Sequence, residues 1–215
     1  LRTLHEGICS LRDWRQDPNF KTLQWLLDLG DRLGSPIAFF FMTADSSSYD
    51  EGYDLAVHPY DQLLREVVRR NQEVGFHPGY STHGDADELE RQRARLIELC
   101  PLTIRGGRQH YLRFKVPDTW RMWAAAGMSY DSTLTYSEAP GFRCGTCHPY
   151  PVFDARIDER IDLVEIPLVA MDASFDVHLD SEVASMKAKL FRLMASCREV
   201  DGDVTLCTHN AVRRS

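Results

Sequence analysis

The chain has 215 residues, 43% of them hydrophobic and 27% charged, as is typical of a soluble globular protein, and we predict a single domain over residues 1–215. Its 25 basic and 32 acidic residues give a net charge of −7, which argues against binding of nucleic acid through the phosphate backbone. The longest apolar run, from Ile37 to Met42, is far shorter than a transmembrane helix, so the sequence predicts no membrane span.

The ends of the chain bear on its location. No secretory signal peptide is recognisable, which favours the cytoplasm. However, the chain opens at Leu1 without a methionine and stops at Ser215 after two arginines. We therefore expect a truncation at both ends, which leaves open a leader lost with the missing start.

Predicted helices and strands alternate along the chain. Apolar residues three and four positions apart predict a helix from Asp17 to about Leu33, and residues 36–42 form an unbroken apolar strand of the kind found inside parallel sheets. A further helix is predicted to begin at Pro59 and to include Val68, and others at about 86–99, 117–126 and 181–198. Further strands are predicted at 73–77, 102–105, 129–131, 163–169 and 204–208. This order predicts an α/β fold with a parallel sheet, arranged as a barrel or partial barrel.

Three histidines lie at or near the carboxyl ends of predicted strands. His77 closes one strand, His209 closes the last, and His110 follows a pair of glycines after a third. Because the carboxyl ends of parallel strands meet at one edge, sites in α/β folds are built there. One such histidine alone is commonly structural, but three of them predict a converging metal or acid–base site.

Other polar and aromatic residues are predicted at the same edge. Asp131 and Asp172 end further strands, where carboxylates would bind a metal or transfer protons. Arg108 follows two glycines and would orient a carboxylate through paired hydrogen bonds, with a salt bridge to a helix as the alternative. Tyr80 and Tyr111 would offer ring faces to a sugar, although such residues also commonly belong to the core.

The six cysteines do not have the spacing of a small disulfide-bonded protein. Cys100, Cys197 and Cys207 lie in apolar surroundings and are predicted to be buried thiols. The segment Cys144-Gly-Thr-Cys147-His148 matches the attachment pattern of a c-type haem. A structural turn is the favoured interpretation, because a covalent haem would also need secretion and an axial ligand.

Several segments, in order along nearly the whole chain, resemble the polysaccharide deacetylases of the carbohydrate esterase class, and in particular a bacterial branch of them. They include Gly-Phe-His-Pro-Gly-Tyr-Ser at 75–81 and Gly-Arg-Gln-His-Tyr-Leu-Arg-Phe at 107–114. The others are residues 17–18, 130–133, 141–147, 167–172 and 206–210.

The resemblance implies a distorted (β/α) barrel of the glycoside hydrolase and deacetylase type, with a divalent metal, usually zinc, held by an aspartate and histidines. It matches His77 to the first metal histidine and Arg108 to the arginine that orients the general base. It matches His209 to the acid that protonates the leaving amine, with Asp172 as its partner. The residues expected to contact the sugar are Tyr80, Ser81, Tyr111 and Asp131.

The chain departs from the family pattern in two places. The second metal histidine falls on Ser81, so His110, His83 or water would replace it, and His110 is the predicted ligand. The early acidic segment of the family, a strand followed by His-Asp-x-Asp, is absent from residues 1–16. We therefore expect the general base and one metal ligand upstream of Leu1, and a barrel that lacks its first strand.

The leading hypothesis is thus a metal-dependent hydrolase that removes acetyl groups from a glycan. A protein of the same fold that binds carbohydrate without catalysis is the rival hypothesis. A haem protein, based on residues 144–148, is a weaker third.

Overall fold

The computed structural model of the protein describes residues 18–176 and 183–209. The helices within these ranges are α1 (Pro18–Leu33), α2 (Tyr60–Arg69), α3 (Ala86–Leu99), α4 (Asp118–Ala125), α5 (Ala173–Asp176) and α6 (Val183–Glu199). The strands are β1 (Ala38–Phe41), β2 (Glu73–Phe76), β3 (Gly106–Gly107), β4 (Tyr130–Asp131), β5 (Tyr150–Asp154), β6 (Glu159–Glu165), β7 (Ala170–Met171) and β8 (Leu206–Cys207). Short 3₁₀ helices span Tyr80–Gly84 and His110–Leu112.

Six strands form one sheet in the order β1-β2-β3-β4-β6-β5. Its neighbouring strands are parallel except for the hairpin of β5 and β6, which is antiparallel. Strands β7 and β8 pair in parallel as a separate two-stranded sheet. The predicted α/β class with a mostly parallel sheet is therefore confirmed.

The two faces of the sheet differ in what they pack against. Phe39 and Phe41 of β1 lie beside Val74 and Phe76 of β2, and all four are buried in one core with the helices. Phe40 faces the other way, opposite Gly75, where an added Cβ would lie 2.3 Å from the Phe40 ring. Glycine is needed at position 75 because the Phe40 ring crosses it, and on this second face the ring also lies 5.1 Å from Cζ of Arg108.

One strand prediction is wrong, one is met in part and one hairpin was missed. Among the described residues β1 pairs with β2 alone, and Phe40 on its second face is only partly buried, so the predicted burial of both faces is incomplete. The strand predicted at 102–105 is wrong, because β3 forms at the two glycines that follow, where the backbones of β2 and β4 come close. The β5–β6 hairpin was not predicted, since its alternating exposed polar residues resemble a loop.

Parts of other predictions lie outside the described residues, namely Asp17 at the start of α1, Ser181 at the start of α6 and Asn210 after β8. Among the helices that the structure describes, none has both the length and the apolar character needed to cross a membrane.

Candidate functional site

The site begins where β2 and β3 end side by side. The N–H of His77 donates to the carbonyl of Phe41 at 2.9 Å, and the N–H of Arg108 donates to the carbonyl of Phe76 at 3.0 Å. An added Cβ at Gly107 would lie 1.8 Å from the Phe76 carbonyl oxygen, so only glycine allows the two strands to approach this closely. The paired glycines thereby bring the segment containing Arg108 and His110 beside His77.

His77 and His110 form a pair with ring centroids 5.0 Å apart. Nδ1 of His77 lies 2.7 Å from the Arg108 carbonyl oxygen, and Nδ1 of His110 lies 2.8 Å from Oδ1 of Asp50. A carbonyl can only accept, so Nδ1 of neutral His77 must hold the proton, and Asp50 favours the same tautomer of His110. Each neutral ring then keeps its lone pair on Nε2, the arrangement typical of histidines that bind a metal.

The environment of His77 keeps its ring uncharged. Burial, and then the neighbouring His110, lower the pKa of His77 to about 3. At neutral pH this imidazole is therefore available as a ligand without first losing a proton.

Asp50 is a site residue that the sequence reasoning missed. Its carboxylate accepts hydrogen bonds from Nδ1 of His110, from the backbone N–H of Tyr80 at 2.8 Å and from the Ser47 hydroxyl at 2.9 Å. Burial alone would raise the pKa of Asp50, but these hydrogen bonds outweigh it and hold the pKa below the usual value. Asp50 is thus an anion that fixes the orientation of His110 from a polar loop, and no pattern in that loop distinguishes it from its other acids.

Arg108, whose carbonyl contacts His77, has a buried side chain. Its Nε donates to the carbonyl of Ser132 at 2.6 Å, one terminal nitrogen donates to the Ser132 hydroxyl at 3.0 Å, and its Cζ lies 5.1 Å from the centroid of the Phe40 ring. Within residues 18–176 and 183–209 it forms no salt bridge to a carboxylate, so neither of the partners predicted from its position is found there.

His209 and Asp172 lie at the carboxyl ends of β8 and β7 and are bound to each other. Nδ1 of His209 is 2.6 Å from Oδ1 of Asp172, and the backbone N–H of His209 donates to Oδ2 at 2.7 Å. The pKa of Asp172 is below its usual value because these bonds outweigh the effect of burial. The hydrogen bond between His209 and Asp172 that the resemblance implies is therefore present.

The predicted sugar contacts occupy different surroundings. Tyr111 is 63% exposed and its ring centroid is 4.6 Å from that of His110, while Ser81 is exposed on the first 3₁₀ helix. Tyr80 is partly buried, and its ring stacks on that of Tyr49. His83, predicted as a solvated loop residue, is partly buried and contacts Arg113 at 3.2 Å.

Asp131 is fully buried and does not reach the surface beside the histidines. Its two oxygens accept from the hydroxyl and the N–H of Thr133, at 2.6 and 3.0 Å. It also hydrogen-bonds to Glu165, a second fully buried carboxyl group opposite it on β6, whose oxygens accept from Trp120 Nε1 at 2.9 Å and from the N–H of Leu134 at 3.1 Å. Burial raises the pKa of both groups, and mutual repulsion raises that of Glu165 further, so the pair shares a proton at neutral pH.

The two cysteines of the Cys-x-x-Cys segment point into different surroundings. Cys147 is buried beside Val169 and its thiol hydrogen-bonds to that of Cys197, whereas the Cys144 thiol lies 3.8 Å from the Leu134 carbonyl. The predicted burial of Cys100 and Cys197 is confirmed, while Cys207 is only partly buried.

A divalent metal fits the histidine pair in the chemistry of its donors but not in their number. Two neutral imidazoles with free Nε2 lone pairs suit zinc, and a catalytic zinc usually has three protein ligands. Among the residues that the structure describes, no three ligating side chains converge on one point.

Comparison of the chain with models of protein families, with curated proteins and with solved structures finds no match in any of the three.

Proposed function

We propose that the protein is a metal-dependent hydrolase that removes acetyl groups from the amino or hydroxyl groups of a glycan, built on a distorted (β/α) barrel. The observation that carries the proposal is the histidine pair, in which His77 and His110 each have Nδ1 held by an acceptor and no hydrogen-bond partner at Nε2 among the described residues. A divalent cation, zinc in the first instance, would be held by these two atoms, and when bound it would supply Lewis acidity for attack on an acetyl carbonyl.

His209 supports a hydrolytic role through its own geometry. Its Nδ1 is held by Asp172, so its Nε2 can hold the proton that a leaving amine requires. Asp172 fixes the orientation of the ring, as the third member of a catalytic triad orients its base. Arg108, held by Ser132, supplies a positive charge beneath the same edge.

Two observations favour a second candidate, a protein that binds the glycan without hydrolysing it. The described residues provide two imidazoles rather than a set of three ligands, and Arg108 has no carboxylate beside it within those residues to serve as an oriented general base. Such a protein would keep the sugar-binding surface and lack turnover.

The experiment that tests both candidates is an assay of acetate release from an N-acetylated chito-oligosaccharide, with and without zinc, by the full-length protein that includes the segment expected upstream of Leu1. Zinc-dependent release that falls about 10²–10⁴-fold in kcat in His209→Ala, with zinc content unchanged, would support the hydrolase. Binding of the oligosaccharide without acetate release would support the second candidate. If the protein neither binds the oligosaccharide nor releases acetate, both candidates are contradicted.

A further inference from the structure

Beside the histidine pair, three tyrosines form a cluster whose members have different degrees of exposure. The ring of Tyr49 stacks on that of Tyr80, with centroids 3.9 Å apart and planes 13° apart. The Cζ atom of Arg113 lies 3.9 Å from the centroid of the Tyr80 ring. A stacked ring fills one face, so the guanidinium must cover the other. Both faces of Tyr80 are therefore occupied, and Tyr80 serves as the support on which Tyr49 rests.

Tyr111 closes the cluster at a right angle. Its ring is 85° from that of Tyr80 and 84° from that of Tyr49, with centroids 5.5 and 6.1 Å apart. Tyr49 remains 52% exposed and Tyr111 63% exposed despite these contacts. The cluster thus presents the rings of Tyr49 and Tyr111 to solvent at a right angle, as an aromatic corner. The ring of Tyr80, held on both faces, packs behind them.

The backbone at Tyr111 is strained in order to present this ring. Tyr111 has φ of 55° and Leu112 has φ of 53°, a left-handed conformation that L residues with side chains rarely adopt. Burial does not explain the strain, because the Tyr111 ring is mostly exposed. Strain of this kind is concentrated at functional sites, where the surrounding structure holds it in place. Here the N–H of Leu112 donates to Gln109 and that of Arg113 donates to His110.

Hydrogen bonds and a ring contact connect the tyrosine cluster to the histidine pair. Asp50 accepts from His110 on one side and from the N–H of Tyr80 on the other, and the Tyr111 ring is 4.6 Å from that of His110. A ligand that reached the histidines would therefore meet the aromatic corner about one sugar ring away.

We propose that Tyr49 and Tyr111 form a subsite that stacks against an uncharged pyranose ring next to the acetylated sugar that approaches His77 and His110. The inference rests on the proposed glycan substrate. The flat C–H face of a pyranose matches exposed aromatic rings, whose faces attract weakly positive C–H groups. The anionic Asp50 and the net charge of −7 disfavour phosphorylated ligands at this corner. A nucleobase would also stack on tyrosine, and the test includes it.

The test is calorimetric titration of the protein with N-acetylated chitotetraose in the presence of a chelator, so that binding is measured without metal or turnover. Tyr49→Ala and Tyr111→Ala should each weaken binding about tenfold, whereas Tyr49→Phe, which keeps the ring, should bind as the wild type does. Phe153→Ala removes a comparably exposed aromatic ring from β5, at the opposite edge of the sheet from β1, and should leave the affinity unchanged. Circular dichroism establishes that each variant is folded.

The outcomes separate this inference from the proposed function. Binding that weakens in the two alanine variants supports the subsite even if no acetate is ever released. Equal affinity of wild type, Tyr49→Ala and Tyr111→Ala would overturn the subsite even if the protein proves to be a deacetylase. It would also be overturned by the absence of any binding, or by adenosine binding at the corner as tightly as the oligosaccharide.

Discussion

Two pairs of ionisable side chains lie at the carboxyl ends of neighbouring parallel strands, and their surroundings differ. His77 and His110 are partly exposed, and within residues 18–176 and 183–209 each has one ring nitrogen bound and the other without a partner. Asp131 and Glu165 are fully buried, and every one of their oxygens is bound by a donor in the protein. The same position in the fold therefore produces a pair that is open to a ligand and a pair that serves the structure. What distinguishes them is the hydrogen-bonding capacity left unused.

The largest expected effect is on stability. Glu165→Ala should lower the free energy of unfolding by about 3–5 kcal/mol, because it leaves the buried donors of Trp120 and Leu134 without an acceptor, at about 1–3 kcal/mol each, and opens a cavity. His77→Ala should lower it by only about 1 kcal/mol, the contribution of one hydrogen bond. Urea titration measures both.

Glu159→Ala is the matched control, since it removes a carboxyl group that is exposed on the same strand and should change stability by less than about 0.5 kcal/mol. Equal losses in Glu165→Ala and His77→Ala would remove the distinction between a structural pair and a functional pair.

A second prediction concerns Asp50, the anion that is hydrogen-bonded to His110 of the histidine pair. Asp50→Asn should weaken zinc binding about 10–100-fold, because Asp50 fixes the tautomer and orientation of His110. Asp54→Asn, in the same loop but outside the site, should leave the affinity unchanged. If Asp50→Asn binds zinc as tightly as Asp54→Asn in the same titration, Asp50 has no supporting role.

The sequence could predict the histidine pair better than the buried carboxyl pair of Asp131 and Glu165, and the reason is physical. A histidine that breaks an apolar strand at a Pro-Gly turn is visible locally, and so is one that follows two glycines. Asp50 precedes His110 by 60 positions in a polar loop, and only the tertiary fold brings them together. Glu165 lies inside an apolar strand, and nothing in the sequence indicates that burial, and then the neighbouring Asp131, raise its pKa.

Strand β1 shows that the neighbours of a strand are equally hard to predict from its own sequence. The apolar side chains of 36–42 correctly predict a strand, but the number of its neighbours depends on pairing partners elsewhere in the chain. The position of β3 shows the same dependence on tertiary contacts. The strand forms at 106–107 and not at 102–105, because only the two glycines allow the backbones of β2 and β4 to come close.

A third prediction concerns the buried carboxyl pair of Asp131 and Glu165, and its expected effect on stability per pH unit is the smallest of the three. The raised pKa of Glu165 means that the folded protein keeps a proton that the unfolded chain has lost above its ordinary pKa of 4.5. Stability should therefore fall as the pH rises above about 4.5, by at most about 1.4 kcal/mol per pH unit for one proton. In Glu165→Gln this part of the slope should vanish. An identical slope in both proteins between pH 5 and pH 9, measured by urea titration, would show that the pair does not share a proton.

The most direct test of the account is the zinc content of four proteins at neutral pH, measured by elemental analysis after dialysis against a trace of free zinc. The wild type should retain about one equivalent, and His83→Ala, which changes a nearby histidine outside the pair, should retain the same. His77→Ala and His110→Ala should each retain almost none, because each removes one of two imidazole ligands. Equal zinc in all four proteins, or none in the wild type, would contradict the assignment of His77 and His110 as a metal centre.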